Sequence, residues 1–196
     1  MPITFDKITG RFRDARGRFI SASRVHHEIN KTVSKLEIDL RSISQNLNQG
    51  KINLPEWQIQ SAAKIKTAHL AAAAIGKGGR KQMTVSDWGK TGAAIREQYK
   101  FLNNFSREIE KGRQSANQIE FRASTYAKAV RETFYKQEID VRKKAGYLFC
   151  RRILDAAESC IECESWATKG FVPIEEQPPI GGLLCRNFCR CELEYR

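Results

Sequence analysis

No cysteine occurs before position 150, and the 196-residue chain holds only three histidines, two methionines and five prolines. A secreted, disulfide-framed fold spreads its cysteines through the chain, so that class is not expected, and no signal-peptide pattern is visible. The scarcity of histidine removes the familiar metal-dependent hydrolases. His26 and His27 are adjacent at a helix start, His69 lies in an alanine-rich segment, and none stands in H-E-x-x-H or beside a nucleophile motif. The paired carboxylates Glu175-Glu176 lie beside Pro178-Pro179 in what reads as a solvated loop. No catalytic constellation is legible, and an enzyme is not expected. Long apolar runs are lacking too: the longest is about Ala71 to Ile75, far short of the roughly 20 residues a membrane span requires. A soluble chain without membrane contact is expected.

What is present is a folding composition, 41% apolar and 29% charged, of a length for one domain or a domain plus a small module. The formal net charge is +12, from 34 basic and 22 acidic residues. It is unevenly spread, because residues 159 to 196 carry 4 basic and 6 acidic groups and the excess lies in the body. That basic body suits nucleic acid or an acidic protein surface, and part of it is solvated helix face.

The cysteines make the sharpest pattern: Cys160-x2-Cys163, 21 intervening residues, then Cys185-x3-Cys189-x-Cys191. Two close pairs joined by a loop are the spacing of a tetrahedral zinc site. Four sulfurs would close its coordination sphere, which makes it structural and not hydrolytic. Cys189 and Cys191 alternate along an expected terminal strand, so only one of them should bind. The expected ligands are Cys160, Cys163, Cys185 and Cys189. Cys150, in the apolar run Tyr147-Leu148-Phe149-Cys150 before Arg151 and Arg152, reads as core.

The fold class expected is mainly α: a helical-bundle body with an N-terminal β-hairpin or extended arm and a small C-terminal zinc-binding module. The boundaries fall at 1–22, 23–146 and 147–196. In the arm, Phe12, Phe19 and Ile20 are apolar anchors, with turns at Thr9-Gly10 and Arg16-Gly17. A segment so small must pack on the body of this chain or on a neighbouring copy. From Ser23 to Gln49 the stripe Val25, Ile29, Val33, Leu36, Leu40, Ile43, Leu47 traces one narrow helical seam. A second helix opens at Asn53-Leu54-Pro55-Glu56 and stops at Gly76, before the basic loop from Gly76 to Lys81. A third runs from about Thr84 or Ser86 to Gly112, and a fourth from about Ser115 as far as Lys144. The aromatic stripes of these last two helices, Tyr99 and Phe105, Tyr126 and Phe134, should face each other as core.

Arg152-Ile153-Leu154-Asp155, Cys160-x2-Cys163, Gly170, Pro179-Ile180-Gly181 and Cys189-Arg190-Cys191 together resemble the cysteine module of phage head morphogenesis proteins, the Mu F-like minor head proteins. Tyr99-x2-Leu102-x2-Phe105, Ile109-x2-Gly112 and Arg122-x3-Tyr126 resemble proteins of tailed phages and prophages, as does the arm from Gly10 to Phe19. The family's histidine before C-R-C is absent here, and Cys185 is its nearest substitute. The resemblance implies a structural virion protein of a tailed bacteriophage, a minor head or head-to-tail connector component. It would associate with a portal ring or other connector proteins as a homo-oligomer, be assembled in host cytoplasm, and use zinc structurally. The positive charge could also meet DNA without sequence preference. The alternative is a nucleic-acid-binding regulatory zinc protein, which the basic body favours and the acidic module disfavours. A DNA-processing nuclease is more remote, for want of a carboxylate cluster.

Overall fold

The computed structural model describes residues 3–154 and 159–196. Asp155, one of the residues in the phage-protein resemblance, lies outside them. The architecture is mainly helical, with a three-stranded sheet at the N-terminus and a cysteine cluster at the C-terminus.

The N-terminal segment forms β1 (Thr4–Asp6), β2 (Arg11–Arg13) and β3 (Phe19–Ile20), an antiparallel meander in which Phe5 faces Phe12. Of the two packing options open in the sequence, this chain's own body is the one occupied. Phe5 and Phe12 are buried edge-to-face, 5.0 Å apart. Phe12 is therefore a core residue of this chain. Phe19 stays at the surface with the guanidinium groups of Arg11 and Arg13 at 4.3 and 3.9 Å from its ring, and Ile20 is half-buried.

Helix α1 (Ala22–Asn48) starts at Ser21, whose hydroxyl caps the Arg24 N–H, and α2 (Leu54–Lys77) starts with a reciprocal capping box between Asn53 and Glu56. The predicted α1 stripe is buried from Val25 to Ile43, but inside this chain, so it is not a seam left open for a second copy. Trp57 of α2 anchors the contact: its indole N–H donates to the buried Ser44 hydroxyl at 3.0 Å, and its ring meets Phe105 edge-to-face.

Helices α3 (Val85–Glu110), α4 (Ala116–Thr125) and α5 (Ala129–Lys144) complete the body. The single fourth helix expected from the sequence is broken at a 3₁₀ turn, Tyr126–Lys128. Ser124 and Thr125 supply the cause. Their hydroxyls donate to the carbonyls of Phe121 and Arg122, three residues back, and tighten the turn out of α geometry. The expected α3–α4 pairing is likewise replaced. α2 is the central helix, packed by α1, α3 and α5, while α4 lies chiefly against α1. Small residues on α2 make this possible. Ala68, Ala72, Ala73 and Gly76 are buried, and a side chain at Gly76 would strike the backbone of Phe134. The stretch expected as a basic loop also begins differently. Lys77 ends α2, is buried, and sits between the carboxylates of Asp87, at 2.9 Å, and Asp140. Gly78 follows as a left-handed cap at φ +81, where any side chain would overlap Phe5.

One buried charged group joins all three regions. His26 of α1 lies between Glu138 of α5, 3.8 Å from Nε2, and Glu192 near the C-terminus, 2.7 Å from Nδ1. Neither approach is aligned as a hydrogen bond, so the attraction is that of ion pairs. Arg142 supports the arrangement from one turn further along α5, pairing with Glu138 and donating to the carbonyl of Gly10. Burial alone would push the His26 imidazole down, but Glu138 and then Glu192 outweigh it and raise it to about 9. Because the folded value exceeds the unfolded one, the stability it confers is complete below about pH 6.5 and is lost as pH rises through about 9. The expected loss is on the order of 3 kcal/mol. Urea midpoints measured from pH 6.5 to 9.5 should fall in the parent and run flatter in His26→Gln. Equal slopes in the two would contradict the charged His26.

Candidate metal centre

The C-terminal region builds a second small antiparallel sheet, β5–β4–β6, from β4 (Phe149–Ile153), β5 (Val172–Pro173) and β6 (Glu192–Tyr195). Along β4 the inward residues are Cys150 and Arg152. Cys150 is core, as the sequence suggests, and burial pushes its thiol up to about 11.

Helix α6 (Ile161–Thr168) begins immediately after Cys160, which occupies its N-cap, and Cys163 lies in its first turn. The two-residue spacing thus sets both cysteines on one helix start, as a metal-binding pair requires. The second group comes from a 3₁₀ turn, Arg186–Phe188, with Cys185 just before it and Cys189 just after. Arg186 there adopts φ +44, left-handed for a non-glycine residue, which bends the chain sharply between the two cysteines. Glu162 ties the halves together by accepting the Leu184 backbone N–H at 2.8 Å.

The structure brings all four expected ligands, Cys160, Cys163, Cys185 and Cys189, to one place and adds Cys191. Cys160, Cys163 and Cys185 have their sulfurs mutually within 4.8 Å, and so do Cys163, Cys189 and Cys191. Cys163 belongs to both triads. The expectation that Cys189 and Cys191 would point to opposite faces is corrected here. β6 starts only at Glu192, so period-two alternation does not govern the two residues before it.

This sulfur set fits a metal ion. All six cysteines of the chain are free thiols. Cys163 Sγ is 3.4 Å from Cys185 Sγ and 3.9 Å from Cys189 Sγ. A tetrahedron with metal–sulfur bonds of about 2.3 Å has sulfur–sulfur edges of about 3.8 Å, close to both. Hydrogen bonding from Cys191, followed by other neighbours, holds the Cys189 thiol down at about 4, whereas Cys185, Cys163 and Cys191 are raised. Arg152 adds a charge argument. It is 2% exposed, and its Nη1 lies 3.7 Å from Cys163 Sγ and 3.6 Å from Cys189 Sγ, while Nη2 donates to the Pro178 carbonyl at 2.7 Å. A buried guanidinium directed at sulfur is stabilised when that sulfur is anionic. In the sequence Arg152 is only the second of two arginines that follow the apolar run ending at Cys150. The strand period that puts Cys150 inward puts Arg152 inward too, and that was the available signal.

The module is fastened to the body beside the cluster. Tyr135 of α5 donates its hydroxyl to the Cys191 carbonyl at 3.3 Å, and Glu192, the next residue, faces His26. A metal held by these cysteines would therefore be coupled to docking of the C-terminal strand. No helix among the described residues is long and apolar enough to cross a membrane. Comparison with protein-family models, with curated proteins and with solved structures returned no match.

Proposed function

We propose that this is a non-enzymatic structural protein whose C-terminal module is closed by one zinc ion, and that it serves as a minor head or head-to-tail connector component of a tailed phage. The observation that carries the structural reading is the packed sulfur cluster. Five thiols lie in two triads joined at Cys163, enough sulfur for a tetrahedral ion to have its sphere filled by protein, with no position left for substrate or water. The metal would supply cross-linking alone, fixing a small sheet and helix that lack a sufficient core of their own. The phage assignment rests on the resemblance of residues 152 to 191 and of the arm to Mu F-like and tailed-phage proteins. In that role the chain would bind a portal ring or another connector protein in the virion, in several copies. With Phe12 and the α1 stripe committed to the chain's own core, the contact surface would use exposed groups such as Phe19 between Arg11 and Arg13.

Native mass spectrometry of the purified chain, alone and with a portal ring, tests this reading. About one zinc per chain and a discrete multi-copy complex with the ring are expected. A metal-free chain, or one that stays monomeric in the presence of the ring, would contradict it.

A further inference from the structure

Counting charge along the chain assigns a net negative balance to the cysteine module, yet folding carries cations from the body to its edge. A cleft of roughly 270 Å³ opens between α1, the start of α5 and the 186–188 turn, and Lys128, Arg131, Phe188 and Arg190 line it together with Asn30 and Ser34. Lys128 holds its ammonium 3.8 Å over the Phe188 ring, and that ring is 55% exposed. Glu37 is the acidic group on the rim, and it already faces Arg41 at 3.6 Å. Among the described residues the ion pairs leave Lys128, Arg131 and Arg190 without a carboxylate partner. Burial pushes the Lys128 amine down, Glu37 pushes it up, and Arg190 and Arg131 push it down again.

Three unpaired cations around one concavity repel one another, and the plainest compensation is the metal centre, since Cys189 also lines the cleft. Its charge is too small. Four thiolates around a divalent ion leave a formal charge of about −2. Arg152, in direct contact with two of the sulfurs, offsets about one of these, so about two of the three cleft charges remain uncompensated.

We infer that this cleft binds the phosphodiester backbone of a single nucleic-acid strand, with Phe188 presented to a base. Cations beside an exposed aromatic ring match the two halves of a nucleotide, phosphate and base. A cleft of this size admits one strand, whereas a duplex would rest on its rim and leave the ring unused. An acidic peptide would satisfy the cations and gain nothing from the ring face. The inference stands on the cleft itself and does not depend on the phage reading.

The test uses the full chain with its metal bound and a fluorescent thymidine oligonucleotide of about 16 nucleotides, a length that covers one small binding surface. Affinity is followed by anisotropy across a salt series. The triple variant Lys128→Gln, Arg131→Gln, Arg190→Gln should bind at least about tenfold more weakly, with the salt slope reduced by about 2, as expected for three lost single-strand phosphate contacts. Phe188→Ala, a change at an exposed side chain, should weaken strand binding about fivefold and leave competition by inorganic phosphate unchanged. The control triple Lys51→Gln, Lys66→Gln, Lys111→Gln removes the same charge from exposed sites elsewhere. If it weakens binding as much as the cleft variant, the net charge alone is responsible and the inference fails. It also fails if duplex of equal length binds more tightly and is unaffected by Phe188→Ala, or if inorganic phosphate binds as tightly as the strand, which would make this a free-anion site.

Discussion

Cys163→Ser is expected to abolish metal binding and unfold residues 147–196, while most of the helical circular dichroism of the body persists. Cys163 is shared by both sulfur triads and buried, so no rearrangement of the remaining four can close a tetrahedron around the same point. Metal affinity should fall at least a thousandfold, which is only about 4 kcal/mol of the roughly 10 kcal/mol or more that structural zinc supplies in small modules. Cys160→Ser should behave differently. Cys160 is only partly buried and belongs to one triad, and Cys191 stands ready as a fourth sulfur. A loss of about tenfold is expected there, with the module still folded. Titration against a competing chelator, with far-ultraviolet circular dichroism at each step, checks both. Identical behaviour of the two variants would show that the triads are not joined through Cys163.

Deleting residues 1–21 should lower the stability of the helical body by several kcal/mol. Phe5 and Phe12 leave the core together, Arg142 loses the Gly10 carbonyl that accepts from it, and the Phe5 N–H bond to the Gly78 carbonyl disappears. Phe12→Ala alone should cost about 3–5 kcal/mol by cavity formation, whereas Phe19→Ala at the surface should change stability by less than about 0.5 kcal/mol. Urea unfolding of the three variants reads this directly. A truncated chain with an unshifted midpoint would return the segment to the role of an arm between copies.

The helix stripes were legible because burial follows the 3.6-residue period: Val25 through Ile43, and Leu102 with Phe105, are buried where the pattern puts them. The cysteine spacing was legible for a similar reason, since a helix start and a tight turn each fix two sulfurs locally. Partnership was not. Phe12 reads equally well as an anchor on a neighbour or on its own body, and only the approach of Gly78 and Arg142 decides between them. The break near Thr125 was hidden because hydroxyl back-bonding leaves the apolar period intact on both sides. The pairing of His26 with Glu192 spans nearly the whole chain, and no local pattern announces a contact of that separation.

A closed, all-sulfur metal centre would join the C-terminal module to the body. X-ray absorption at the zinc edge of the purified, reduced protein measures it most directly. About one zinc per chain is expected, with four sulfur neighbours at about 2.3 Å and no light-atom shell. A nitrogen or oxygen ligand at about 2.0–2.1 Å, or a metal-free protein with its cysteines paired as disulfides, would contradict it.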